Sequence, residues 1–393
     1  MTPPQWVQKP LSNFVVLQRG FDLPHRKRVP GRFKVLSSGA ASGSHNEGPV
    51  KGPGFVVGRA TNIGRPTWSD DDYWPLNTVL YAKDFLGNDP RFAYYWFLSS
   101  DLTAYNSGSV QPMLNRNYIA NVPISIPPLT EQRGIAATLG ALDKKIESNH
   151  RVIAFIEDLG AAILDSKLDI DVYGFPSYDD SRRLGDILEV LETGSRPKGG
   201  VVVSDVGMVS LGAENVQSAG IVATTAFKRV PHGFAAAMRG GRLEAGDILV
   251  YKDGGSPGNF TPHISAFGEG FPVAEATINE HVYRARAGKG VSQGLLYWLL
   301  RSAWMDQEMR KRGTGVAIPG LNSANFRELP LPVVNREVVE ALNEGLDPLL
   351  VAMLRLGAEC RRLSTLRDTL LPELLSGRIR VPEAVQTVVG TIA

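Results

Sequence analysis

From Ile135 onward the apolar positions step alternately by four and three, through Leu139, Leu142, Ile146, Asn149, Ile153, Ile156, Gly160 and Ile163. A second run does the same through Leu342, Leu346, Leu349, Met353, Leu356, Cys360, Leu363, Arg367 and Leu370. These are the a and d positions of heptads and predict two long amphipathic helices. The two series stay in step at a shift of 207 residues without a gap. Neither has another partner of equal length in the chain, so the pattern predicts an antiparallel coiled coil between roughly 131–168 and 336–376. Asn149 and Arg367 interrupt the seam, as register-fixing polar residues do. Met353 and Cys360 read as soft core filler. Thr130-Glu131 offers a hydroxyl N-cap with acid in the first turn, and Leu375-Ser376-Gly377 a glycine stop.

The same shift relates the phrases that precede the helices. Pro112, Leu114 and Asn115 fall on Pro319, Leu321 and Asn322, and Pro123 on Pro330, while Tyr95-Trp96 answers Tyr297-Trp298 at a slightly different offset. The two halves therefore share one plan. Before each helix lie short β-rich runs (Phe55 to Val57, Asn77 to Tyr81, Val201 to Val203, Asp247 to Tyr251) separated by Gly, Pro, Asn and Asp turns. Each half also carries one helical patch, around Tyr94 to Leu98 and Leu295 to Met309, whose tryptophans Trp96 and Trp298 read as core. The expected class is α+β: two globular α/β domains, each followed by a long helix. The expected blocks are 1–127, a helical spacer 128–170, 181–334, a second spacer 335–378 and a tail 379–393. Asn115 and Asn322 read as turn or cap residues.

Composition narrows the class without changing this plan. The chain has 393 residues, 43% hydrophobic and 21% charged, long enough for two or three packed cores. With Cys360 alone no internal disulfide forms, and the six scattered histidines lack zinc-site spacing, so a reducing cytosol and no structural metal are expected. No apolar stretch approaches the roughly 18 residues that span a bilayer, so no membrane role is expected. The net charge is +2, but residues 1–130 carry 13 basic and 8 acidic groups and 180–334 carry 17 and 15. These two mildly basic blocks are compatible with nucleic-acid contact and do not demonstrate it.

Catalytic constellations are missing. The chain has no phosphate loop, no G-x-G-x-x-G, no H-E-x-x-H and no G-x-S-x-G. Its Pro-Pro pairs, at Pro3-Pro4 and Pro127-Pro128, lack the flanking residues of an amino-methyltransferase. Asp143/Lys145 and Asp165/Lys167 have the spacing of nuclease metal ligands but read as solvated charges on the polar side of a helix.

The stretch Leu366-Arg367-Asp368-Thr369-Leu370-Leu371-Pro372-Glu373-Leu374-Leu375-Ser376-Gly377, with its first-half counterpart Ile126-Pro127-Pro128-Leu129-Thr130-Glu131-Gln132-Arg133 running on through Leu142-Asp143-Lys144-Lys145-Ile146-Glu147 and Asn149, resembles the conserved helices of the specificity subunit of type I restriction–modification enzymes. The likeness covers nearly the whole chain. It implies a non-catalytic DNA reader with two target-recognition domains, each reading half of a bipartite site, held apart by paired helices. It also implies docking of methyltransferase (modification) subunits, which bind S-adenosylmethionine, with a restriction translocase as a further partner and no cofactor in this chain. The N-terminal domain, at about 127 residues against about 154, is shorter than the second. The heptad run from Ile135 to Ile163 spans about 42 Å at about 1.5 Å per residue, or roughly 12 base pairs of duplex.

Candidate DNA contacts in the first half are the basic run His25, Arg26, Lys27 and Arg28, the small polar groups Ser38, Ser44, His45 and Asn46, and Arg59. In the second they are Thr193, Ser195, Arg196 and Lys198 in the corresponding early loop, Lys252, and Arg312 and Thr314 in the run ahead of Pro319. Arg and Lys hold phosphates or read guanine, and Asn reads adenine. Two other readings stay open: a two-headed protein-interaction scaffold with a coiled-coil spacer, and an enzyme with an unfamiliar site.

Overall fold

The computed structural model describes residues 6–392 apart from 61, 106–112, 205, 223–226, 257–258, 289 and 315–318; Pro112 of the phrases above, with Gly315 and Ile318 just ahead of Pro319, lies outside the described residues. The chain divides into two compact units, residues 1–144 with 364–393, and 145–363. Each unit contains one globular domain and a portion of both long helices.

In the first unit the strands are β1 (Val7–Pro10), β2 (Val16–Arg19), β3 (Phe33–Ser37), β4 (Ala40–His45), β5 (Gly54–Gly58), β6 (Pro66–Ser69), β7 (Tyr73–Pro75), β8 (Val79–Asp84) and β9 (Pro123–Ile126). Helices α1 (Pro90–Ser99) and α2 (Arg116–Ile119) precede the long α3 (Leu129–Ser166). The sheets are β1-β9, β2-β8-β5-β6 and β4-β3-β7. β5 reads Gly-Phe-Val-Val-Gly and is buried throughout, as an inner strand flanked by β8 and β6 must be.

The second unit repeats this wiring. Its strands are β10 (Tyr178–Arg183), β11 (Leu188–Thr193), β12 (Val202–Val203), β13 (Met208–Leu211), β14 (Lys228–Val230), β15 (Ile248–Tyr251), β16 (Gly255–Ser256), β17 (Asn259–Phe260), β18 (His263–Ala266), β19 (Ala276–Ile278), β20 (Val282–Ala287) and β21 (Pro330–Pro332). Helices α4 (His232–Ala237), α5 (Gln293–Arg301), α6 (Ala303–Lys311) and α7 (Ser323–Arg327) precede the long α8 (Arg336–Ser376), and α9 (Val381–Ile392) closes the chain. The order β11-β20-β15-β18 matches β2-β8-β5-β6, and β10-β21 matches β1-β9. In both units the third sheet contains one parallel pair, β3 with β7 and β13 with β19.

Register makes the equivalence residue-specific. Arg19 pairs with Leu80 and Thr193 with Tyr283, so Arg19 corresponds to Thr193. Arg59 N–H donates to Thr78 O and its carbonyl accepts from Leu114; Lys252 does the same with His281 and Leu321. Gly20 and Gly194 are equivalent for a steric reason. A Cβ would lie 2.2 Å from Leu76 O in one and 1.6 Å from Ile278 O in the other, so only glycine lets these backbones approach. The offset thus grows from 174 residues at Gly20/Gly194 to 193 at Arg59/Lys252 and 207 at Leu114/Leu321. Loops absorb the added length while the sheets keep their order.

The long helices begin and end within two residues of expectation, and Gly377 takes the left-handed conformation (φ 72°). Their partners run antiparallel within each unit. In the second, Asn149 Nδ2 donates to Glu359 Oε2 at 2.9 Å, Cys360 Sγ lies 3.8 Å from Ile146 O, and Ile163 lies beside Gly345. In the first, Asp143 meets Arg367.

Several expectations need correction. Thr130 is not the N-cap: α3 starts at Leu129, with Pro128 O receiving the Glu131 and Gln132 amides. The helical patch at Leu295 to Met309 is two helices, broken at Ser302, whose extended backbone ends α5 while its hydroxyl caps α6 at Met305 N. The tail forms α9. Trp298 is core, but Trp96 is only half-buried. Leu350 and Leu354 are buried more deeply than the heptad positions Leu349 and Leu356, because α8 also packs on its globular domain at Gly268. Asp143 is not a solvated charge; its carboxylate accepts from Tyr95, Arg91 and Arg367.

Candidate nucleic-acid interface

The first basic run sits between β2 and β3. His25, Arg26 and Lys27 form one exposed 3-10 turn. Arg28 turns inward and donates to Leu23 O and to the carbonyl and hydroxyl of Ser42, so it closes the loop. Ser44 and Asn46 are exposed. His45 is 6% exposed, with its Nδ1 3.1 Å from Val29 N and its ring edge-on to Trp74 at 5.1 Å. That packing withdraws His45 as a groove reader. Ser38 is half-buried and its hydroxyl lacks a hydrogen-bond partner among the described residues.

In the second unit Thr193, Ser195 and Lys198 are exposed. Thr193, Gly194 and Ser195 line an open groove of about 320 Å³ against Phe234, Met238 and Arg239. Arg196 is paired with Glu280 at 2.6 Å. Lys252 is held by Asp253 at 2.9 Å and over the Tyr283 ring at 5.4 Å; burial, with the Asp253 charge adding, pushes the Tyr283 phenol to about 12. His281 joins the same network through Asp253 and Glu280. Arg312 donates to Glu308 O and to its carboxylate, so it fastens the end of α6. Thr314 is exposed, with its backbone paired to Gly320. Asn115 and Asn322 are the N-caps of α2 and α7, accepting from Asn117 N and Asn325 N.

Sequence reasoning singled out Arg59 but missed what surrounds it. Arg19 from β2, Lys83 from β8 and Arg116 from α2 join Arg59 in lining an open cleft of about 890 Å³, whose lining also includes Asp22, held by Asn77. Arg116 Nη1 donates to Leu17 O at 3.2 Å and Arg59 Nη2 lies 3.2 Å from Met113 Sδ. Among the described residues none of the four cations forms an ion pair. Burial, and then the charge of Arg19, lower the Arg59 pKa. No run in the sequence betrays this cluster, since the four residues are gathered by strand pairing.

Among the described residues no helix is long and apolar enough to cross a membrane. The type I restriction modification DNA specificity domain matches residues 6–158. Over 344 residues the chain is 22% identical to the type I restriction enzyme MjaIX specificity subunit of Methanocaldococcus jannaschii, covering 79% of this chain and 74% of that one. The crystal structure of a type I restriction–modification S subunit from M. genitalium is similar at a TM-score of 0.56 and 17% identity, over 95% of this chain and 97% of that one. The HsdS subunit of Thermoanaerobacter tengcongensis aligns over 96% and 98% at 15% identity, with a TM-score of only 0.33, so the fold likeness rests on the former. The type I restriction modification DNA specificity domain is thus matched over residues 6–158, and the sheet wiring of that stretch recurs in the second unit, so along its length the chain is similar to specificity subunits of type I restriction–modification systems.

Proposed function

We propose that this chain is the sequence-reading subunit of a type I restriction–modification complex, working inside the cell on double-stranded DNA. Each globular domain reads one half of a bipartite site, and the long helices set the gap between the halves and dock the methyltransferase subunits, which bring S-adenosylmethionine. The chain itself reads and does no chemistry. One observation carries this reading: the same sheet order, with the same single parallel pair, is built twice and followed each time by a long helix. Two equivalent frames with different loops suit two different half-sequences. The near-neutral charge fits weak binding by the chain alone and tight binding in the complex.

The test is binding of the chain, co-purified with its modification subunits, to a randomised duplex library, alongside methylome sequencing of the source cells with and without the gene. A split motif that loses its methylation with the gene is expected. Indifference to sequence in every subunit combination would overturn the reading in favour of the interaction scaffold.

A further inference from the structure

The two units have equivalent frames but unlike charges at equivalent places. In the first, Arg19, Arg59, Lys83 and Arg116 line one cleft, and among the described residues none of them forms an ion pair. Their counterparts by register and capping are Thr193, Lys252, Arg286 and Ser323. Two of those four are uncharged. The other two are already neutralised: Lys252 lies 2.9 Å from Asp253, and Arg286 lies 2.7 Å from the buried Asp247 and 3.3 Å from Glu244. Arg196, on the loop beyond Thr193, is likewise taken by Glu280.

Four cations gathered around a single carboxylate, Asp22, which is held by Asn77 and forms no ion pair with any of them, repel one another, and burial adds to the cost at Arg59. An anion entering the cleft relieves that repulsion. Guanidinium forks with nearby ammonium suit the oxygens of a phosphate, and an open cleft on a sheet edge admits a polymer backbone that a closed pocket would not.

We propose that the Arg19, Arg59, Lys83 and Arg116 cleft seats a backbone phosphodiester of the DNA, whereas the second unit's counterpart does not. The first domain then carries the larger part of the salt-dependent hold, and the second binds more through neutral contacts. This rests on the DNA-reading function above.

The experiment measures affinity of the complex with its modification subunits for cognate and non-cognate duplexes across a salt series. Arg59→Gln and Arg19→Gln, checked for an unchanged melting temperature, are expected to weaken both duplexes alike. They should flatten the slope of log affinity against log salt by about 0.9 for each phosphate that is no longer neutralised. Lys83→Gln, on an exposed strand end, supplies the same test should an arginine variant fail to fold. Lys252→Gln should change the slope by less than half as much. An unchanged slope in the folded variants, a loss confined to one base position, or an equal effect of Lys252→Gln overturns the proposal.

A second arm separates its failure from failure of the DNA-reading function. Arginine side-chain NMR of the full chain, titrated with inorganic phosphate and with a short non-cognate duplex, should show Arg59 and Arg19 moving with the duplex at lower concentration. Response to phosphate alone means the cleft takes a free anion, which overturns the phosphodiester assignment. Response to the duplex without any sequence preference in the complex overturns the reader and keeps the cleft.

Discussion

Arg367 on the second long helix places its Nη1 2.8 Å from the Oδ1 of Asp143 on the first, and Tyr95 and Arg91 of the globular domain reach the same carboxylate. A residue that looks like a fault in a heptad seam thus ties two helices and a domain to one acid. Burial by itself would lower the Arg367 pKa; the hydrogen bonds to Asp143 and Asp368 outweigh it and raise it.

Removing Asp143 leaves two guanidinium groups short of a partner. Asp143→Ala should destabilise the protein by roughly 2–3 kcal/mol, below the full cost of a dry ion pair because the side chains keep some water contact. Tyr95→Phe, which removes the hydroxyl's donation to Asp143 and its long acceptance from Arg91 Nε at 3.4 Å but leaves the ion pairs, should cost about 1 kcal/mol. Chemical denaturation of the two variants checks the order, and an equal or reversed ranking would contradict the network.

Gly160 sits at a heptad position where the Trp298 indole fills the space, with a Cβ only 2.0 Å from Trp298 Cε2. Alanine gains about 1 kcal/mol over glycine inside a helix, but overpacking costs about 1–3 kcal/mol. Gly160→Ala should therefore lower the melting temperature, and adding Trp298→Phe should restore part of the loss. Stabilisation by Gly160→Ala alone would show that the contact is slack.

Acid should weaken the second unit through Glu308. Burial would raise this carboxyl, yet the hydrogen bonds and charges of Lys311 and Arg312 outweigh it and depress it below its ordinary value of 4.5. A depressed folded value means the contribution is complete above pH 4.5 and is lost as pH falls through the folded value. The melting-temperature gap between wild type and Glu308→Gln should be constant near neutrality and shrink below that point.

Arg28 and Lys27 are neighbours with different work. Arg28→Ala should lower stability by about 1–2 kcal/mol, since it opens the Leu23 and Ser42 contacts. Lys27→Ala should leave the melting temperature unchanged and weaken recognition of one half-site only, read by competition binding with half-site-altered duplexes.

One heptad inserted into each long helix should lengthen the unread gap of the recognised sequence, about 10 Å at about 1.5 Å per residue or roughly three base pairs, with both half-sequences preserved. Methylome sequencing reads this directly; an unchanged gap with an altered half-sequence would contradict the ruler.

Helix periodicity, proline punctuation and asparagine caps act between residues a few positions apart, so the long helices, the doubled plan and the roles of Asn115 and Asn322 were written in the sequence itself. The first 100 residues of each half concealed their kinship, because loops of unequal length shift Gly20/Gly194 and Arg59/Lys252 out of a common offset while strand pairing preserves their places. Tertiary structure alone decided which cations remain available. Arg196 loses its freedom to Glu280 and Lys252 to Asp253, beside a His281 that binds both acids, whereas Arg19, Lys83 and Arg116 come from separate elements to stand with Arg59. Burial and charge compensation sum over groups far apart along the chain, and those sums exist only once the strands have paired.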